Sequence, residues 1–215
     1  MAKDLKQENA RSVFLIMLIS LLFFAFIQFG IPSLPDLFDA LVTGSFDALV
    51  TGGGGLILSV LLMLLVSLLP SDIKHKLVFT RFRNELPACR VDKLCRKDPR
   101  IEYDMVSQRW PEVFSDGIDG ATRNSRWYQQ IYKPVKDSQE VLQVHRNFLL
   151  YRDAFSGLLL ILLMTIGWSL LGNPKLIGEI NPLVFAMQGL LTILSSIAAR
   201  VTGSRLVINA VVVAV

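Results

Sequence analysis

Apolar residues in this chain gather into four blocks, two near each end, and a long polar stretch separates the second block from the third. The blocks occupy residues 12–31, 49–69, 154–171 and 180–199, and none of them holds Asp, Glu, Lys or Arg. A helix rises 1.5 Å per residue, so about 20 apolar residues cover a hydrocarbon core of about 30 Å. The pattern therefore predicts a mainly α, polytopic membrane protein: four transmembrane helices, with a small cytoplasmic insert, α or α+β, over residues 70–153 between helices 2 and 3.

The second block is the least regular. Four glycines, Gly52 to Gly55, stand in its first third, and each costs a helix interior roughly 1 kcal/mol. Its start is expected to be unwound, or re-entrant where protein or water satisfies the backbone. Just before it, LFDALVTG is followed by its near copy SFDALVTG over residues 37–52. A repeat of eight residues is too short for a solenoid unit and reads as a local duplication.

Orientation follows from Lys and Arg, which accumulate in cytoplasmic segments. Lys3, Lys6 and Arg11 precede the first block, whereas the loop 32–48 has Asp36, Asp39 and Asp47 and no basic residue. The insert opens with Lys74, His75 and Lys76 and closes at Arg152, the turn 172–179 has Lys175 alone, and Arg200 and Arg205 follow the fourth block. The expected arrangement is a plasma (inner) membrane protein with residues 1–11, 70–153 and 200–215 in the cytoplasm and residues 32–48 and 172–179 outside. Pro-Ser-Leu-Pro after the first block, in place of a small-residue cleavage site, marks that block as a retained span.

The last ten residues are apolar except for Asn209 and largely β-branched. Ten residues do not span as a helix, so the segment is expected to be a buried strand, an interfacial segment or the start of a longer run.

Within the insert, residues 71–153 carry 16 Lys plus Arg against 12 Asp plus Glu. Arg90, Arg96, Lys97 and Arg100 belong to its most basic stretch, with Lys74 and Lys76 nearer the membrane. A polybasic juxtamembrane segment gains about 1 kcal/mol per cation at an anionic surface, which makes lipid headgroups the first expected partner. No Gly-rich phosphate loop favours a nucleotide or nucleic acid. Ser71 is a candidate cap for a short interfacial helix bearing Ile73 and Leu77. Pro87 and Pro99 predict loops between residues 84 and 100. Asp137 with Glu140 three residues on reads as a capping box opening a helix that runs without Pro or Gly into the third span. Arg152 and Asp153 stand where that helix enters the membrane, as interfacial anchors or a gating ion pair. Trp127, Tyr128 and Tyr132 form an aromatic cluster expected to serve as the insert's small core and as a docking surface.

Mean hydropathy of +0.48 and 52% hydrophobic residues agree with the membrane assignment. Two cysteines, Cys89 and Cys95, are too few for a disulfide framework, and with the two histidines they have no metal-ligand spacing. No cofactor is expected. No nucleophile and base, carboxylate pair or intramembrane acid stands out, so the chain is expected not to be an enzyme. Inside the spans, Gln28 and Gln188 lead a set of mildly polar residues suited to interhelical bonds, and Gly157, Gly167 and Gly189 permit close packing. The same positions could line a pore in a homo-oligomer.

The sequence thus points to a non-enzymatic membrane anchor, sensor or scaffold whose basic insert binds a cytoplasmic protein. The alternative is an oligomeric pore-forming effector gated through the insert. In architecture the layout resembles small multi-span proteins of bacterial antiviral operons, and that resemblance is what brings antiviral defence into view.

Overall fold

A computed structural model describes residues 5–29, 54–171 and 178–215. The tandem repeat at 37–52, the loop 32–48 and most of the turn 172–179 lie outside the described residues, as do the first two glycines of the four-glycine run. The described residues are mainly helical and contain no strand. In chain order the α-helices are α1 (Leu5–Phe29), α2 (Gly54–Leu68), α3 (Ser71–Phe79), α4 (Val91–Cys95), α5 (Tyr103–Arg109), α6 (Pro111–Phe114), α7 (Gly120–Trp127), α8 (Lys133–Val135), α9 (Gln139–Leu170) and α10 (Pro182–Ala214). A 3-10 turn over Pro87–Arg90 leads into α4, and a π-helical turn over Tyr128–Tyr132 joins α7 to α8.

Among the described residues three helices are long and apolar enough to cross a membrane: residues Glu8–Gln28 of α1, α9 and α10. The second apolar block is described only from Gly54, as α2, whose 15 residues rise about 22 Å.

Sequence chemistry explains most helix boundaries. Three prolines start helices here, whereas Pro99 stands in the turn between α4 and α5, as expected. Pro87 and Pro111 each occupy the first turn of their helix, and Pro182 opens α10, positions where a missing N–H costs nothing. The expected loop at 84–100 is thus partly helical. Asp119 caps α7, its carboxylate accepting from the N–H of Ala121 (3.0 Å) and Thr122 (3.4 Å). Helix α9 begins two residues past Asp137: the Ser138 carbonyl accepts the first N–H, from Leu142 at 2.9 Å, so Ser138 holds the cap position instead of Asp137.

The C-terminal apolar run is not a strand, since α10 continues to Ala214. Its valines have weak helix propensity, but Leu206, Val207, Ala210 and Val211 recur on one buried face, and tertiary burial decides the conformation.

Two compact units divide the chain: Met1–Pro70 with Asp153–Ser195, and Ser71–Arg152 with Ser196–Val215. The first, apolar unit has seams of buried residues at helical spacing: Val13, Met17 and Ser20 on α1, Leu62 and Val66 on α2, Leu158, Ile161 and Thr165 on α9, Val184, Gln188 and Thr192 on α10. Gly157 on α9 faces Met17 and Val66 so closely that a Cβ would lie 2.5 Å from the Met17 sulfur. Its other faces are apolar and exposed, among them Leu15, Ile19, Leu22, Leu64, Leu163, Leu190 and Ile193. A unit with leucine on its outside suits a hydrocarbon solvent.

The second, polar unit packs the short helices α4 to α7 together. Gly203 on α10 closes it against Phe79 and Phe148, with 3.0 Å and 3.1 Å between an added Cβ and their rings.

Candidate functional site

The candidate site lies in the polar unit, where the π-helical turn at Tyr128–Tyr132 widens the backbone between α7 and α8. Trp127 and Tyr132 are buried, and Tyr128 is 51% exposed. The three rings pack as a group: Tyr132 lies 5.3 Å from Tyr128, nearly parallel at 26°, and 5.5 Å from Trp127. The Tyr132 hydroxyl is 2.8 Å from His145 Nδ1, and burial first, then Tyr128 and Asp137, pushes its pKa up. Of the three predicted aromatic residues, two are core and only Tyr128 reaches a surface.

The basic residues divide in the same way. Arg90 Nη1 donates to the Asn84 carbonyl at 2.9 Å. Arg96 lies over the Tyr103 ring, 3.9 Å from its centroid, and bonds its hydroxyl at 3.0 Å. Arg100 forks onto Asp98 through Nε (2.9 Å) and Nη2 (3.0 Å), and both terminal nitrogens reach Asn209 Oδ1 at 3.3 Å. These three hold the fold. Lys97 is exposed.

Among the residues expected at the membrane interface, Arg11 and Lys76 are exposed, but Lys74 and Arg152 are buried. Arg152 is only 2% exposed. Its Nη1 lies 3.2 Å from His75 Nε2, and because a guanidinium only donates, that imidazole nitrogen accepts. Asp153 is half-buried. Arg200 donates from Nε to the Val78 carbonyl at 2.6 Å and from Nη2 to Thr80 Oγ1 at 3.1 Å.

The intramembrane polar pair splits too. The Gln28 carboxamide clamps the backbone ahead of α10, donating to the Glu179 carbonyl (2.8 Å) and accepting from the Asn181 N–H (2.9 Å). Gln188 is 1% exposed, and neither its Oε1 nor its Nε2 has a protein partner. A cavity of about 210 Å³ in the same unit is lined by Leu21, Phe24, Leu62, Ile161, Trp168 and Ile180, with Met164 and Thr165.

Sequence reading missed Arg123, the organising side chain of the polar unit. Only 8% exposed, it donates from Nε to the Val113 carbonyl (3.0 Å), from Nη2 to the Ser115 carbonyl (3.0 Å) and from Nη1 to Asp92 (3.1 Å). The Asp119 cap could have placed it one turn into a helix; nothing in the sequence names its acceptors.

Among the described residues no group of three or more His, Cys, Asp or Glu is arranged to hold a metal ion. Cys89 and Cys95 are buried free thiols, the Cys95 thiol pushed up to about 12, chiefly by burial. Comparison with known protein families, curated proteins and solved structures finds no match for this chain.

Proposed function

We propose that the chain is a membrane-anchored docking subunit. It crosses a plasma membrane four times, with α2 and the residues before it as the second span, and keeps both ends and the polar unit in the cytoplasm. There the polar unit binds a soluble protein and carries no chemistry of its own. The observation that supports this best is the contrast in surfaces: an apolar unit with leucines outside, and a polar unit with its own core that still leaves the Tyr128 ring exposed on a fixed aromatic stack. Rigid aromatic side chains are characteristic anchors of protein interfaces.

Purification of the tagged full chain in mild detergent, with mass spectrometry of what travels with it, tests the proposal. A stoichiometric soluble protein that is lost in Tyr128→Ala is the expected result. Tyr128 is the proper probe, since Trp127→Ala would empty the core. A homo-oligomer alone, with dye leakage from vesicles, would overturn docking in favour of the pore-forming alternative. That alternative draws less support, because Gln28 is engaged within one chain and Gln188 is enclosed.

A further inference from the structure

The segment after α3 is built unlike the other turns. Arg81 N–H reaches back to the Lys76 carbonyl at 3.3 Å, and Thr80 between them has φ of +50°. This is the helix-ending motif that normally places glycine in the left-handed position; here a β-branched residue occupies it, a conformation that persists only when its surroundings hold it. Arg200 does so, through Val78 O and Thr80 Oγ1. At the other end Asn84 is also left-handed, φ +51°, and its carbonyl is held by Arg90. Between these two fixed points stand Arg81, Phe82 and Arg83, all exposed. Phe82 is 88% exposed, more than any other large hydrophobic side chain described.

Arg200 also fixes the level of this loop. It is the first charged residue after the uncharged run 182–199 of α10, so it stands where that helix leaves hydrocarbon for the headgroup layer. Phe82 follows Thr80 by two residues, a reach of at most about 7 Å, comparable with the headgroup layer on one side of a bilayer. Exposed Lys76, Ile73 and Leu77 on α3 continue the same basic and apolar character.

We infer that the loop Arg81–Phe82–Arg83 is a preformed contact for an anionic lipid surface: the Phe82 ring enters the interfacial layer while Arg81 and Arg83 take lipid phosphates. Charge favours this occupant, because Arg81 lies close enough to Arg90 to depress its pKa, second only to burial. The field there is positive and suits anions. The inference rests on the membrane reading proposed above and adds the lipid class and the residues that meet it.

The test uses the full chain in nanodiscs of phosphatidylcholine, with and without phosphatidylglycerol. Phe82→Cys carries an environment-sensitive fluorophore, and the native thiols are buried and stay unlabelled. Leu194→Cys reports membrane depth and Asp116→Cys reports water. The expected result is emission at position 82 shifted to the blue of position 116 and quenched by a lipid nitroxide near the carbonyls. The shift should grow with phosphatidylglycerol, and the growth should be lost on adding Arg81→Gln and Arg83→Gln. Emission at 82 matching that at 116 in both lipids, with 194 quenched, overturns the contact and leaves the membrane reading standing. An unquenched 194 overturns both. A label at 82 that becomes buried only when a soluble protein is bound assigns the loop to that protein and overturns the lipid contact.

Discussion

The two units solve the same problem, holding helices together, with opposite means. In the apolar unit the seams are mostly aliphatic, Gly157 lets α9 approach Met17, and Gln28 clamps the backbone ahead of α10. In the polar unit arginines from elsewhere cap the ends of helices: Arg200 the last turn of α3, Arg123 and Arg126 the carbonyls of α6 and the residue after it, Arg109 the end of α10. A helix leaves its last four carbonyls unpaired, and short helices have few others, so five donors on one side chain are an efficient remedy. The difference teaches that the apolar unit is held by the fit of mostly aliphatic surfaces, with a flexible thioether beside its closest glycine, and the polar unit by charged forks aimed at carbonyls, with rings beside its own.

The largest expected effect breaks the polar unit at its hub. Arg123→Ala strands the Asp92 carboxylate and two carbonyls and should cost about 3 kcal/mol, read as a lowered unfolding midpoint in tryptophan fluorescence. Arg123→Lys should recover less than half, because an ammonium lacks the planar fork. An unchanged midpoint in Arg123→Ala would remove the hub from the comparison.

Bulk comes next. Gly203→Val pushes a side chain into Phe79 and Phe148 and should cost about 1–3 kcal/mol. Gly157→Ala in the apolar unit meets the thioether of Met17 instead, which bends aside, so its cost should stay near the lower end, about 1 kcal/mol. Equal losses in the two variants would erase the contrast.

Two glutamines sharpen it. Gln28→Leu deletes both clamp bonds and should lower detergent stability by about 1–2 kcal/mol. Gln188→Leu removes an enclosed carboxamide with no protein partner and should be neutral or stabilising by about 1 kcal/mol. A destabilised Gln188→Leu would reveal a partner for that carboxamide in the assembled protein.

The smallest effect concerns acid. The side-chain hydrogen bond from Arg100 holds the Asp98 carboxyl below its ordinary range. Its folded pKa is therefore the lower one, so its stabilisation is full above the unfolded value of about 3.9 and is lost as pH falls through the folded value. Denaturant titrations at descending pH should show a slight extra loss in the parent relative to Asp98→Asn, and salt should mute it because the pair is at the surface.

How much of this was legible in advance tracks the same division. Three membrane-length helices, the unbroken α9 and its start near Asp137 followed from hydropathy and spacing alone. The spans carry their own backbone partners, so local pattern is enough to find them. In the polar unit the short helix opening at Ser71 and the aromatic cluster were legible, but not the arginine contacts, since Arg123, Arg109 and Arg200 choose acceptors 8 to 122 residues away. A carbonyl at a helix end has no sequence signature. The same reasoning explains the C-terminal run, where valines poor in helix propensity follow a buried face supplied by residues far upstream. In the candidate site, the sequence named the ring cluster but could not sort its members, because burial of Trp127 and Tyr132 and exposure of Tyr128 follow from a π-helical turn.

The Gln28 clamp has a consequence for biogenesis. Its acceptor and donor lie 151 and 153 residues further along the chain, and a ribosome adding about 5–20 residues per second delivers them only about 8–30 s after Gln28 itself. Until then α1 has its packing against α2 to hold it, but not this clamp. Formation of the two bonds is thus a late checkpoint, closing only on a chain in which the start of α10 has emerged and found its place.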